Sequence, residues 1–461
     1  MFEKYLDKLE YKVMIEKLEK NCKTEVGKNL ALNLKPYSNV DDVKKALDET
    51  DEALKLSQKS GMFPISNFDD FSMIFKRLDS NLSLSAKLLL DVSSLLKNAD
   101  ELKKYYSNSE FDLKILNDYF SNLYINNDIE KKISSSIISS SEIADTASSK
   151  LSSLRKNRKN LEIGIKNKLN TIIHSNSYSK YLMESVITIR NDRYVVPVKE
   201  EYKSFVKGFV HDVSSSGSTL YIEPLQIFDM NNEINNLMVE ENKEIDRILE
   251  NLSSLLFPIV SFLKQDIAII GKLDFISSKV KLAIDYDCTK PELKDYIDLK
   301  GARHPLIEKE KIVPINIMLG KDFKTLVITG PNTGGKTVSL KTVGLLCLLA
   351  QSGLFIPAKE NSCIKVFDNI FADIGDEQSI EESLSTFSAH IKNIVHILNN
   401  FTENSLILVD ELGSGTDPIE GSALAISLLE YFYNHKALTI ATTHYQEIKY
   451  YCINHKRIWK C

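Results

Sequence analysis

The sequence feature that most constrains this chain is a glycine-rich loop between an apolar run and a helix-like stretch. The loop reads Gly330-Pro331-Asn332-Thr333-Gly334-Gly335-Lys336-Thr337. Residues 325–329 before it are apolar and β-branched, and residues 338–351 after it are mostly apolar, with Gly353 placed to end a helix. A glycine loop in this setting lets backbone N–H groups surround phosphate oxygens at a helix N-terminus. The stretch therefore predicts a nucleotide-binding site.

Two polar side chains of this loop have expected roles in binding ATP. Lys336 would reach the β- and γ-phosphates, and the Thr337 hydroxyl would ligate Mg²⁺. A chance glycine turn before a helix is the alternative, and the acidic residues that follow in the chain argue against it. The sequence thus predicts ATP and Mg²⁺ as the cofactors of this site.

Acidic and histidine side chains end two later apolar runs. Residues 406–409 lead into Asp410, which would complete the Mg²⁺ ligands, and Glu411, which would orient or deprotonate the attacking water. Residues 437–443 lead into His444, which could contact the γ-phosphate or fill a structural place at a strand end. The pattern predicts ATP hydrolysis with Glu411 and His444 as catalytic residues.

Composition and charge limit the class of protein. A chain of 461 residues is too long for one core, and its net charge of −5 requires any surface for nucleic acid to be local. Six cysteines lie far apart without C-x-x-C spacing, which suits a reducing cytosol. The N-terminus lacks a signal-peptide pattern, and Lys264 and Asp266 interrupt the apolar stretch 255–270. We expect a cytoplasmic protein without a membrane span.

Apolar spacing divides the chain ahead of the loop into helical and β-rich parts. Residues 1–115 read as helices joined by short turns. Two later segments repeat apolar side chains at intervals of three and four, as paired helices do. The first repeat contains Ala144, Ala147, Leu151, Leu154, Leu161, Ile165 and Ile172, and the second contains Ile245, Ile248, Leu252, Leu255, Ile259 and Phe262. An insert separates them, so we expect an antiparallel helical arm that carries a tip domain.

The insert, residues 184–229, alternates in the manner of strands. Its predicted strands are residues 186–190, 194–198, 208–212 and 217–224. The polar turn at residues 191–193 predicts that the first two strands form a hairpin. His211 beside Asp212 could be a base with its orienting acid, and a structural role for both is the alternative.

Clustered cations on the arm and on the insert are candidate contacts to nucleic acid. They are Arg155, Lys156, Arg158, Lys159, Arg190 and Arg193. Such side chains can hold phosphates without reading sequence. The alternative for the helical cluster is a solvated helix face.

Several segments, taken in order, resemble the MutS family of DNA mismatch-repair ATPases, which are relatives of the transporter-type ATPases. The matching text lies at residues 329–337, 371–380, 385–388, 410–418 and 442–444. Residues 303–306 also resemble the family's entry into its ATPase domain. Residues 189–198 and 208–224 resemble the second bacterial branch, which lacks the mismatch-reading and connector domains.

The resemblance implies a multidomain α plus α/β fold. Its expected domains are a helical core, residues 1–115; ascending lever helices, 116–183; a β-rich clamp, 184–229; returning lever helices, 230–300; and an ABC-type P-loop α/β ATPase domain, 301–461. Members of the branch continue for hundreds of residues past the histidine strand and end in a small nuclease domain. The resemblance therefore implies a chain that is truncated at its C-terminus, with an incomplete ATPase domain and without that nuclease.

In the family the ATPase works as a homodimer. Ser385 would then lie near the γ-phosphate bound by the other subunit, and a helix N-cap is the alternative role for this serine. Asp417 would lie in the turn that crosses the interface.

The resemblance also implies the partners. The leading expectation is an ATP-driven clamp on duplex or branched DNA, acting in mismatch repair and in suppression of homologous recombination. One alternative is ATP-driven splitting of collided ribosomes, with ribosomal RNA as the partner. Another is a catalytically dead, truncated remnant that binds ATP without turning it over.

Overall fold

The computed structural model describes residues 2–109, 111, 113–330, 334–375, 383–454 and 458–460, with backbone alone for 383–387, 453–454 and 458–460. By its internal contacts the chain forms two compact units. The first unit is Met1–Asp70, Asn98–Leu123 and Gln265–Cys461, and the second unit is Phe71–Lys97 and Tyr124–Lys264. These units cut across the five domains expected from the sequence, and that division stays a prediction.

Among the described residues, eight helices precede the first strand, and strands and helices are mixed in the rest of the chain. The helices are α1 Glu3–Lys8, α2 Tyr11–Asn21, α3 Glu25–Leu32, α4 Val40–Ser60, α5 Ser72–Asp79, α6 Ala86–Ser107, α7 Leu116–Ser121, α8 Asn127–Ser136, α9 Ser149–Ile173, α10 Leu225–Ser254, α11 Val260–Asp285, α12 Lys336–Gln351, α13 Ser383–Asn400, α14 Pro418–Asn434 and α15 Gln446–Asn454. The strands are β1 Ile137–Ser139, β2 Glu142–Ile143, β3 Thr188–Arg190, β4 Arg193–Lys199, β5 Gly208–Val213, β6 Thr219–Pro224, β7 Glu292–Leu293, β8 Ile297–Ala302, β9 Ile315–Leu319, β10 Thr325–Thr329, β11 Cys363–Ile364, β12 Asn369–Asp373, β13 Ser405–Val409, β14 Leu438–Thr443 and β15 Ile458–Lys460.

A parallel sheet of order β12-β13-β14-β10-β15 forms the centre of the first unit. Strands β13 and β14 are buried along their whole length, as expected when helices cover both faces of a parallel sheet. The register pairs Asp373 with Val409, Val409 with Ala441, and Val327 with Ala441. Because all strands run the same way, their carboxyl ends meet at one edge of the sheet. A smaller sheet of order β7-β11-β8-β9 belongs to the same unit.

The first helices of the chain share one hydrophobic core with α12. A side chain at Gly344 of α12 would meet Leu9 at 2.7 Å, so this glycine permits their close approach. Gly353, which follows α12 with φ +73°, lies so close to α4 that a Cβ would meet Ala46 at 2.5 Å. The Thr50 hydroxyl of α4 donates to the Gly353 carbonyl at 2.8 Å. Residues near the N-terminus therefore pack directly on the helix that follows the glycine loop.

Helices α9 and α10 of the second unit run antiparallel. Ser148 at the start of α9 bonds Glu244 at 2.8 Å, whereas a Cβ at Gly164, farther along α9, would meet Met230 at 2.8 Å. The partner of α9 therefore begins about twenty residues before the predicted repeat at residues 245–262. The two helices pair antiparallel, as predicted. The predicted partner segment, residues 245–262, is wrong for most of α9, because α9 contacts Met230, Glu241 and Glu244, which precede that segment.

The predicted β-hairpin is present in the second unit. Its sheet has the order β3-β4-β6-β5, and Asn191 and Asp192 turn between β3 and β4 with φ of 48° and 58°. Positive φ at both central residues is the mark of a type I′ turn, which suits the twist of a hairpin. The Arg190–Asp212 ion pair at 3.2 Å joins the end of β3 to β5, so the small sheet curls on itself.

One helical stretch, Leu225–Asp285, is long and apolar enough to cross a membrane. Of its most apolar 18 residues, 44% are buried. A core helix of a soluble protein meets the same criteria, so one such stretch is weak evidence. Among the residues that the structure describes it is the one candidate, and the absence of a span stays a prediction.

A buried lysine in α11 is an internal charge without an ion pair of its own among the described residues. Lys279 is 2% exposed, and its ammonium lies 4.6 Å from the Phe275 ring. The nearby Glu49 is instead bonded to Lys272 at 2.9 Å and to the Tyr119 hydroxyl at 3.1 Å. Burial lowers the pKa of Lys279 to about 8, and Glu49 opposes this shift while Lys272 adds to it.

We expect Lys279→Met to stabilise the first unit at neutral pH, because methionine fills similar space without a charge to desolvate. The folded-state pKa lies below the ordinary 10.5, so the cost of the ammonium is complete below pH 8 and fades as pH rises toward 10.5. The free energy of unfolding should rise by roughly 3 kcal/mol at pH 7, and this increase should be smaller at pH 10. Urea unfolding at both pH values measures it, with the exposed Lys281→Met on the same helix as control. An equal gain at both pH values would contradict the buried charge as the cause.

Candidate nucleotide site

The glycine loop lies between β10 and α12, as predicted. Gly335 caps α12 in the left-handed conformation with φ 76°, and Gly330, with φ 152°, directly follows β10. A Cβ at Gly330, Gly334 or Gly335 would meet no atom within 4 Å, so the described part of the loop is open. The predicted residues Pro331, Asn332 and Thr333 lie outside the described residues.

Thr337 and Asp410 meet across neighbouring elements. The Thr337 hydroxyl donates to Asp410 Oδ2 at 2.5 Å, and the Thr442 hydroxyl donates to the other carboxylate oxygen. Asp410 is 7% exposed. One hydroxyl and one carboxylate are the hard oxygen ligands that Mg²⁺ takes from a protein when phosphates and water complete its coordination. These two residues therefore fit the predicted Mg²⁺ ligands.

Lys336 is the cation of the site. Its ammonium donates to the Gly330 carbonyl at 2.7 Å and lies 3.0 Å from His444 Nε2. Burial lowers the pKa of Lys336, while Glu411 and Asp410 oppose the shift. A lysine that is mostly withdrawn from water and bonded to the loop's own carbonyl is placed to exchange that carbonyl for a phosphate oxygen.

Glu411 adopts a strained backbone conformation at the end of β13. Its φ is 51°, the left-handed region that non-glycine residues rarely occupy. Its N–H donates to the Thr442 hydroxyl at 2.8 Å, and the next N–H, of Leu412, donates to the Thr442 carbonyl at 2.9 Å. Its carboxylate lies 3.3 Å from Nε2 of His444, whose side chain is 42% exposed. The predicted catalytic pair is thus brought together.

Thr442 is a functional residue that the sequence reasoning did not single out. Its hydroxyl donates a hydrogen bond to the Asp410 carboxylate and accepts one from the backbone N–H of Glu411. The available signal was its place two residues before His444, in a strand that ends beside the acids. Its role became visible only once the register of β13 and β14 was known.

The turn after Glu411 is tight and ordered by its own contacts. Gly413 and Gly415 have φ of 88° and 87°, and a Cβ at Gly413 would meet the Gly421 carbonyl at 2.4 Å. The Asp417 carboxylate accepts from Ile419 N at 2.9 Å and so caps α14. Its predicted place at a subunit interface stays a prediction.

Ser385 lies within α13, close to its first turn. Because the helix begins at Ser383, the N-cap alternative for Ser385 is wrong. Its side chain is outside the described residues, and contact with a partner's nucleotide stays a prediction.

The predicted cations of α9 fall into two groups. Arg155 donates to Glu241 at 2.7 Å, and Arg158 donates to the same carboxylate at 2.5 Å. Lys156 and Lys159 are exposed, and within the described ranges no carboxylate lies within 4 Å of either ammonium. The arginines therefore join α9 to α10, while the lysines are available to a partner.

The predicted cations of the small sheet are also engaged. Arg193 donates to the fully buried Glu223 at 2.9 Å, and His211 Nε2 lies 2.6 Å from the same carboxylate. Asp212, the expected partner of His211, instead pairs with Arg190. The suggestion of a His211–Asp212 base is therefore wrong, because His211 lies at an irregularity of the β5–β6 ladder and contacts Glu223 rather than Asp212.

Comparison with known proteins agrees with this geometry. A family model described as MutS domain V matches residues 326–461, which include the loop, both acids and His444. The protein named Endonuclease MutS2 of Finegoldia magna is 45% identical over 99% of this chain and 59% of its own length.

Two further relatives with the same name match this chain to a similar extent. That of Acetivibrio thermocellus is 45% identical over 99% of this chain and 58% of its own length. That of Clostridioides difficile is 47% identical over 98% of this chain and 58% of its own length. The chain thus spans less than two thirds of each of these relatives. Identity of this extent over nearly the whole chain, together with the matching domain, shows that the protein belongs to the MutS family.

Proposed function

We propose that this chain binds and hydrolyses ATP and uses it to clamp DNA. The observation that carries the proposal is the meeting of Lys336, Asp410 and Glu411 at one edge of the parallel sheet, next to an open glycine loop. A buried lysine, a hydroxyl–carboxylate pair and a second acid are the parts that phosphoryl transfer requires. The relatives are named endonucleases at their full length, and nuclease activity is not part of this proposal.

The residues divide the reaction among them. Thr337 and Asp410 would hold Mg²⁺, which when bound offsets charge on the phosphates. Lys336 would leave the Gly330 carbonyl and bond the phosphates. Glu411 would accept a proton from the attacking water while the water oxygen forms a bond to Pγ. The bond from Pγ to the β,γ-bridging oxygen breaks at the same time, and ADP and phosphate leave. His444, close to both Lys336 and Glu411, would orient them.

We propose DNA as the partner of the second unit. The antiparallel helices α9 and α10 lead into the curled sheet, and Lys156 and Lys159 stand exposed along α9. Lysines of this kind bind phosphates at any sequence and make the affinity depend on salt. Ribosomal RNA presents the same phosphates, so ribosomes serve as the competing partner in the tests below.

We expect Glu411→Ala to lower turnover strongly and to leave ATP binding intact, because the carboxylate acts on water rather than on the nucleotide. The loss in kcat should be about 10²- to 10⁴-fold. Steady-state phosphate release and fluorescent ATP-analogue titration measure the two quantities. Lys336→Ala should instead weaken binding, and the exposed Glu403→Ala should change neither. Unchanged turnover in Glu411→Ala would refute the assigned role.

We expect Lys156→Ala with Lys159→Ala to weaken DNA binding uniformly across sequences. Loss of two phosphate contacts should reduce the slope of log affinity against log salt by about 2. Fluorescence anisotropy on duplex and branched DNA measures this, with ribosome co-sedimentation in parallel. The pair of exposed lysines Lys311 and Lys436 in the first unit, changed to alanine, is the control. An unaltered salt slope would remove these lysines from the interface, and binding to ribosomes alone would replace DNA as partner.

A further inference from the structure

A second polar cluster lies at the same sheet edge as the nucleotide site. Its centre is Asp373, the last residue of β12, which is 3% exposed. His390 Nδ1 donates to Asp373 Oδ2 at 2.9 Å, and Asn393 Nδ2 donates to Oδ1 at 2.7 Å. Both donors come from α13, so one buried carboxylate binds two successive turns of that helix.

The cluster is also fixed from the N-terminus of the chain. The Tyr5 hydroxyl donates to Asn393 Oδ1 at 3.0 Å, and the Lys4 ammonium donates to the same oxygen at 3.1 Å. The Tyr5 ring lies edge-on to Phe371 of β12, with centroids 5.4 Å apart. Helix α1 therefore closes the outer side of the cluster, and β12 is the edge strand on which it rests.

The cluster adjoins the acids of the nucleotide site. Asp410 N donates to the Asp373 carbonyl at 2.8 Å, across the β12–β13 pair. Asp373, His390, Asp410 and Glu411 line one cavity of about 20 Å³, close to the space of one water molecule. None of these contacts reaches the glycine loop or Lys336.

We propose that His390 is a positioning residue for ATP turnover. Its hydrogen bond to Asp373 fixes the position of α13 relative to Glu411. This rests on the proposed ATP hydrolysis. His390, Ile391 and Ile394 of α13 line that cavity together with Glu411, so the bond to Asp373 holds the part of the helix that lies beside the acids. Because both residues act on α13 and not on the loop that binds the phosphates, their loss changes kcat rather than KM.

The physical reason is the burial of the Asp373 carboxylate. Removing one donor leaves a buried charged acceptor short of a hydrogen bond, which costs more than the bond itself contributes. The end of β12 or the first turns of α13 must then shift to admit water. Asparagine at position 390 offers an amide N–H near the place of Nδ1 and restores the bond.

The test compares His390→Ala, His390→Asn and the exposed Lys392→Ala on the same helix. Steady-state ATP hydrolysis gives kcat and KM, and hydrogen exchange of residues 388–394 reports the anchoring of α13 without needing turnover. We expect His390→Ala to lower kcat about tenfold with KM within twofold, and to speed amide exchange about tenfold. His390→Asn should recover most of both, and Lys392→Ala should change neither.

The outcomes separate this proposal from the proposed function. A wild-type chain without turnover refutes hydrolysis by these 461 residues, and faster exchange in His390→Ala would still show that the dyad holds α13. Unchanged exchange in His390→Ala overturns the positioning role whatever the turnover. Loss of kcat that His390→Asn does not recover also overturns it, because the hydrogen bond to Asp373 would then not be the cause.

Discussion

The nucleotide site depends on one threonine hydroxyl between two neighbouring strands. Thr442 of β14 donates to the Asp410 carboxylate and accepts from the N–H of Glu411. This pair of bonds holds Glu411 in a left-handed conformation that would otherwise be costly for a side chain with a Cβ. It exists only because β13 and β14 pair with Val409 opposite Ala441. A slip of one residue would turn Thr442 to the other face of the sheet and separate the two acids from their support.

Local sequence was enough to predict the parts of the site that are contiguous. The strand, glycine loop and helix around Lys336 follow from spacing and residue type, and so do the strand ends that carry Asp410 and His444. The hairpin before Arg193 could also be predicted, since its polar turn separates two alternating runs. In each case the physical cause lies within about ten residues of chain.

The parts that escaped prediction depend on partners far along the chain. Glu223 takes His211 and Arg193 because strands β5 and β6 pair, and Glu241 takes Arg155 because two helices run antiparallel. A run of cations looks alike in sequence whether or not a distant acid neutralises it. The junction at Asp373 escaped prediction for the same reason, because its partners His390 and Asn393 lie in α13, and Asn393 is bonded in turn by α1.

The close packing of the N-terminal helices on α12 links nucleotide binding to the integrity of distant sequence. Gly344 and Gly353 let Leu9 and Ala46 approach the helix that follows the glycine loop. A ligand that binds only the folded loop lowers the free energy of everything that must be folded with it. Nucleotide bound at the phosphate loop would therefore reduce local unfolding at the start of the chain. Protease cleavage within about the first fifty residues would then slow as the nucleotide concentration rises.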